Sequence, residues 1–287
     1  MQHRNLQTVH TIEATRAAIA AARESGASIA LVPTMGNLHE GHLHLVQTAQ
    51  SKHDFVAVSV FVNPLQFGAG EDFGSYPRTL EADSKALTDI GAQLLFAPPV
   101  EEIYPHGQDD QAQISLPSLA DTLCGKHRAG HFDGVATVVM KLLNITTPDA
   151  AFFGEKDFQQ LLVLKTLVRD FNMNVRVEGV PTVRAADGLA LSSRNQYLST
   201  AQRKQAPLIH QTLHDIAFAL KEGASQRDRL LQTGRLALKN AGFEIDYLEL
   251  VDATNLQPPA AGSKQLRLLV AATLGDARLI DNIGISL

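Results

Sequence analysis

The sequence predicts an α/β fold, a Rossmann-like doubly wound parallel sheet with a smaller α+β C-terminal domain. Three observations predict it. Strand-like and helix-like segments alternate from Ser28 to Val180, the rhythm of a parallel sheet covered by helices on both faces. The strand-like segments, Phe55–Val62 above all, are continuous in apolar and β-branched residues, as strands buried on both faces are. Polar residues of chemical interest, namely His39, His42, Asn63, Gln66, Lys156 and Asp157, fall just after strands, at the carboxyl edge where such sheets bind ligands.

The elements follow in order. Thr11 begins an alanine-rich helix, and Gly26 ends it in the position past the last turn where glycine is favoured. Ser28–Val32 is a strand, and a histidine-bearing loop leads into a helix that runs to about Lys52. Phe55–Val62 is the second strand. Asn63–Arg78 is a long loop containing Gly68, Gly70 and Gly74. Thr79–Ile90 is a helix stopped by Gly91, and Gln93–Ala97 a strand stopped by Pro98-Pro99. The stretch from Pro105 to Pro117 is polar and irregular. His131–Ile145 carries Val135, Val138, Val139, Leu142 and Leu143 at helical spacing. Ala150–Phe153 is a strand, Asp157–Phe171 a helix with Asp157 as N-cap, and Val175–Val180 the fifth strand. Past Pro181 the rhythm changes, so the domains are expected to be 1–181 and 182–287. Val183–Tyr197 reads as a loop or short hairpin. Thr200–Lys221 and Ser225–Asn240 read as helices, and Phe243–Val251, Leu266–Thr273 and Arg278–Ile283 as strands.

Composition excludes several functions. The 287 residues are 45% hydrophobic, enough for a packed core, and the formal net charge is −5 without a basic run. Nucleic acid is therefore not expected as a partner, because phosphate backbones require clustered Lys and Arg. No apolar run approaches the ~18 residues of a membrane span, and no secretory leader is visible. The single cysteine, Cys124, excludes an internal disulfide. These features predict a cytoplasmic protein that does not engage membranes. Cys124 lies near His127, but nothing orients the pair as a nucleophile and base, and an inert cysteine is expected.

Three segments carry the chemistry. The first is Met35-Gly36-Asn37-Leu38-His39-Glu40-Gly41-His42 at a strand-to-helix junction. Residues three apart share a helix face, and a helix N-terminus with nearby glycines suits phosphate. Two other readings stay open for this segment alone, a metal site or surface histidines at a helix start. No third or fourth ligand of zinc-site spacing is present, and none of the protein's side chains is assigned to a metal. The second segment is Gly154-Glu155-Lys156-Asp157, followed by Phe158-Gln159-Gln160, after the fourth strand. Alone it is equally an ordinary polar turn. The third is Leu191-Ser192-Ser193-Arg194-Asn195, either a capped turn or two hydroxyls and a guanidinium clamping phosphate.

Together these segments resemble the pantothenate synthetase (pantoate–β-alanine ligase) family of the class I nucleotidyltransferases. Phe61–Phe67, Tyr76-Pro77-Arg78, Gly130-His131-Phe132 and Gly275–Asn282 extend the resemblance over essentially the whole chain. One departure is Ala129, where many relatives have proline. The resemblance implies Mg²⁺ and ATP, the substrates pantoate and β-alanine, a homodimer, and a C-terminal domain that acts as a cover. It carries ATP contacts to residues 35–42 and 154–157 and to Val183, Leu191, Ser192, Ser193 and Arg194. Catalytic roles go to His42, His39, Lys156 and Arg194, with His42 the strongest candidate. Gln66, Gln160 and Asn63 become pantoate and β-alanine contacts. Without the resemblance the two glutamines would read as a loop and a helix surface. Arg128 and Asp83 are weaker carry-overs. The implied reaction forms pantoyl adenylate and then releases AMP to β-alanine. The rivals are an adenylyltransferase that does not ligate and a nucleotide-binding module without turnover.

Overall fold

The computed structural model describes residues 6–68, 70–108, 110–224 and 226–287. Six strands, β1 (Gln7–Val9), β2 (Ile29–Thr34), β3 (Phe55–Val60), β4 (Leu94–Phe96), β5 (Ala150–Gly154) and β6 (Arg176–Val180), form one parallel sheet in the order β1-β4-β3-β2-β5-β6. Successive strand residues point to opposite faces, so each strand feeds two cores. Ile29 and Leu31 enter one core, with Phe153 and the helix residues Val135, Val139 and Leu164. Ala30 and Val32 enter the other, with Val46, Leu87 and Phe152. Burying each strand side chain is worth about 1.5–3 kcal/mol for Val, Leu or Ile, and the unbroken apolar runs in β2 and β3 are explained by this two-sided demand.

The helices of this region are α1 (Ile12–Glu24), α2 (Glu40–Gln50), α3 (Leu80–Asp89), the single turns α4 (Val100–Ile103), α5 (Pro117–Ala120) and α6 (Cys124–His127), then α7 (His131–Thr146) and α8 (Phe158–Asp170). The chain enters at the edge strand β1, passes to β2 in the middle, steps outward through β3 and β4, and returns to β5 on the other side of β2. The reversal leaves a crevice beyond the carboxyl ends of β2 and β5, the point where such sheets take ligands.

The C-terminal region holds α9 (Thr200–Gln205), α10 (Leu208–Lys221), α11 (Arg227–Asn240) and an antiparallel sheet β7 (Glu244–Asp252), β8 (Gln265–Leu274), β9 (Ala277–Ser286). One face of this sheet packs on α10 and α11 through Leu248, Leu268 and Val270. The other face, with Tyr247, Val251 and Leu269, joins the first core of the parallel sheet.

The structure corrects the sequence reading in three places. The sheet has six strands, because Gln7–Val9 adds β1 beside β4. Residues 200–221 form two helices, interrupted at Ala206 and Pro207; proline lacks the N–H that would continue the first. Asp157 does occupy the N-cap position of α8, but its carboxylate accepts no backbone N–H there, and Glu155–Asp157 forms a 3₁₀ turn just ahead of the helix. Ser225 lies outside the described residues. Among the described residues no helix is long and apolar enough to cross a membrane.

Candidate active site

The crevice between β2 and β5 opens into a cavity of about 220 Å³. Its polar wall begins with the two histidines. His39 is the N-cap of α2, with extended backbone (φ −128°), and its Nδ1 accepts the Gly41 N–H at 3.1 Å. His42 returns the bond, its Nδ1 accepting the His39 N–H at 3.3 Å. A capping box normally uses Ser or Thr with Glu or Gln; here both partners are imidazoles, with ring centroids 4.1 Å apart. Since each Nδ1 is an acceptor, each ring carries its hydrogen on Nε2 and is a donor through that nitrogen. Burial, aided by the positive charge of Lys156, lowers His39 to about 4. Burial together with His39 and Lys156 lowers His42 to about 3. Both rings are neutral at pH 7 and donate hydrogen bonds without carrying charge.

Gly41 has a steric reason distinct from the close phosphate approach anticipated from the sequence. A Cβ there would stand 2.9 Å from His39 Cε1, so the glycine makes room for the capping ring. Gly36 adopts φ +81°, and a Cβ would meet Asp83 Oδ2 and Val60 Cγ1 at 3.0 Å. Asp83, 2% exposed, holds the turn by accepting Asn37 N–H at 3.0 Å and Leu38 N–H at 2.7 Å.

Lys156 enters from the end of β5, its Nζ 3.9 Å from Asp157 Oδ2. The third segment follows a hairpin bridged at Arg184 and Ala190. Ser192 Oγ accepts the Arg194 N–H at 3.3 Å, and Ser193 Oγ donates to the Asn37 carbonyl at 3.3 Å, joining the third segment to the first. The Arg194 guanidinium is engaged by Asp72 in a two-pronged pair, at 3.2 Å and 3.0 Å. Arg128 is held similarly by Glu71, at 2.7 Å and 2.6 Å.

Asn63 and Gln66 stand after β3. Asn63 is 1% exposed; its amide donates to Gln66 Oε1 and the Gly134 carbonyl and accepts from Tyr104 and the Leu65 N–H. Both its donors and its acceptor are therefore engaged by protein, and Asn63 orients Gln66. Gln66 Nε2 lies 2.8 Å from Met35 Sδ. Gln160 lines the same cavity, whereas its neighbour Gln159 is buried against Leu119, Thr122 and Cys124 as a structural amide.

Of the residues singled out in the sequence, Met35, His39, Gly41, His42, Asn63, Gln66, Gly154, Lys156, Asp157, Gln160, Val183, Leu191, Ser192, Ser193 and Arg194 meet at this cavity. Gly36, Asn37 and Leu38 shape the loop behind the wall, Glu40 faces solvent, and Glu155 pairs with Arg267 at 3.1 Å. Sequence reasoning missed Asp72 and Glu71, which look like ordinary loop acids until their arginine partners are in place. It noted Val135, Val138, Val139 and Leu142 only for their helical spacing, whereas they belong to the core and also form the cavity's apolar wall. Cys124 is outside this cavity, with Sγ 3.0 Å from the Tyr247 hydroxyl.

Comparison with known proteins gives a consistent result. A family model described as pantoate-beta-alanine ligase matches residues 7–284. The pantothenate synthetase of Azotobacter vinelandii is 55% identical over 280 residues, 98% of this chain and 99% of the relative. That of Pseudomonas savastanoi pv. phaseolicola is 54% identical over 278 residues, 97% of this chain and 98% of the relative. The crystal structure of pantothenate synthetase from Thermus thermophilus superposes with a TM-score of 0.90 at 47% identity, covering 96% of this chain and 98% of that one. The pantoate-beta-alanine ligase of Francisella tularensis, solved with beta-gamma ATP and beta-alanine, gives 0.79 at 34% identity, with 97% of each chain covered.

Proposed function

The chain belongs to the pantoate-beta-alanine ligase family and is an ATP-dependent ligase that joins pantoate to β-alanine; we propose that it does so through a pantoyl adenylate in the cavity between β2 and β5. The observation that supports this route is the convergence of His39, His42, Lys156, Ser192 and Ser193 on one cavity without an activated nucleophile. Neither serine hydroxyl bonds an imidazole among the described residues, and Cys124 is elsewhere.

In the first step a pantoate carboxylate oxygen attacks the α-phosphorus of ATP, and the bond to the pyrophosphate oxygen breaks. In the second the β-alanine amine attacks the acyl carbon, and AMP leaves. No covalent enzyme intermediate is required, so the protein contributes alignment and stabilisation of developing phosphate charge. The Nε2–H groups of neutral His39 and His42 and the Lys156 ammonium are the donors for that charge. Gln66, oriented by Asn63, and Gln160 read the pantoate hydroxyls and carboxylate, for which an amide supplies donor and acceptor together. The Asp157 carboxylate beside Lys156 would be the side chain to hold a Mg²⁺ ion accompanying ATP, since one or two carboxylates together with substrate phosphates and water suit this ion. When bound, it would neutralise phosphate charge.

In this reading residues 1–181 bind nucleotide and pantoate, residues 182–287 cover them, and the enzyme is a cytoplasmic homodimer. The test is isotope exchange between pyrophosphate and ATP. Pantoate alone should support exchange, and AMP release should await β-alanine. An exchange reaction that requires β-alanine would exclude the adenylate.

A further inference from the structure

The Gly275–Asn282 motif lies outside the cavity wall, yet its last residue reaches the turn that carries Lys156. Asn282, on β9, is 4% exposed. Its Nδ2 donates to the Glu155 carbonyl at 2.9 Å and to the Lys156 carbonyl at 2.8 Å. Those are the carbonyls of the two peptide groups that flank the Lys156 α-carbon. Its Oδ1 accepts Arg267 Nε at 2.6 Å, so the amide cannot flip without losing all three bonds. Arg267 is itself fixed, bonding Glu155 Oε2 at 3.1 Å and stacking on the Phe158 ring at 4.1 Å. A 3₁₀ turn has poorer hydrogen-bond geometry than an α-helix, and here a side chain 126 residues further along grips it.

We propose that Asn282 is a positioning residue for adenylation, acting through Lys156 by fixing the backbone on both sides of it. The inference rests on the phosphate-facing role given to Lys156 above. A donor aimed at developing charge must be held closely, and a misplacement of about 1 Å can cost on the order of 10²-fold in rate. Only an amide of this length supplies two donors to the carbonyls and one acceptor to Arg267; Asn282→Asp would set a carboxylate oxygen against two carbonyls.

The experiment is a double-mutant cycle on pyrophosphate–ATP exchange with Asn282→Ala, Lys156→Ala and the double variant, with thermal unfolding measured in parallel. Asn282→Ala should lower the maximal exchange rate by about 10- to 100-fold, with pantoate KM changed little. In the Lys156→Ala background the same substitution should cost less than about twofold, because a residue that acts through another loses its effect once that other is gone. Full, additive losses would overturn the positioning role while leaving Lys156 in place. A silent Lys156→Ala would instead overturn the reading of Lys156, and the inference with it. If Asn282→Ala does not fold, Arg267→Met removes the donor that orients the amide and takes its place in the same cycle, with the same outcomes decisive.

Discussion

In the structure His39 and His42 cap the helix that carries them, and in the proposed function the same two rings are donors to the nucleotide. This double duty makes their titration a stability term. In the unfolded chain each titrates near the ordinary 6.5; folded, they stand at about 4 and about 3. Between those values the unfolded chain binds more protons, so folding stability must fall as pH drops from 6.5 toward 3. His131, lowered to about 4 mainly by burial, adds in the same direction. His39→Asn keeps an N-cap acceptor and removes one titrating group, so its melting temperature should decline less steeply between pH 6.5 and 4; an unchanged acid slope would show that His39 does not set it. For catalysis, His42→Ala and Lys156→Ala should each slow adenylation by about 10²–10³-fold. Lys141 looks like a neutral control in the sequence, but its Nζ bonds the Ile103 carbonyl and lies 4.9 Å over the Tyr104 ring, whose hydroxyl holds Asn63. Exposed Lys165 on α8 is the better control, and its alanine variant should match the parent in the same exchange assay. The residue types of the site were legible because His, Lys, Ser and Arg have few reasons to cluster after strands. Their roles were not, because a capping bond and a ligand bond demand the same side chains.

At the level of elements, the loop 67–76 shows what spacing alone conceals. The sequence shows only a long loop with glycines, whereas its fastening depends on two acids, Glu71 on Arg128 and Asp72 on Arg194. Phe67, Phe73 and Tyr76 form an aromatic cluster within the loop, the Phe67 ring 5.3 Å from Phe73 and 5.8 Å from Tyr76. A closed loop excludes water while an acyl adenylate waits for the amine. Replacing residues 67–76 by a short Gly-Ser linker should leave ATP binding largely intact but form AMP from pantoate alone, in excess of pantothenate. The AMP-to-pantothenate ratio measures this, and a ratio near one in an active variant excludes a protective role. The main strands and long helices were legible because a buried strand must be apolar on both faces. β1 was not: Gln-Thr-Val has no apolar run, and pairing with β4 makes it a strand. The break at Ala206–Pro207 was printed in the sequence, but amphipathic spacing on either side masked it.

Over the whole molecule, the change of rhythm near Pro181 read as the start of an α+β region, and the polar residues after strands pointed to the carboxyl edge of the parallel sheet; the antiparallel pairing of β7–β9 and the strand order that opens the crevice between β2 and β5 were not legible. What no periodicity could reveal is that β7–β9 has two apolar faces serving two cores. A surface sheet would bury one face and wet the other. The usual expectation for adjoining domains is freedom to move, unless their interface is large and hydrophobic; here Tyr247, Val251 and Leu269 are continuous with the parallel-sheet core. The C-terminal region is therefore a poor candidate for excision or transplantation. Cutting near residue 181 would strip water-averse surface bare on both fragments, each prone to aggregate, and a chimaera with a foreign cap would have to match an interior as well as an outline.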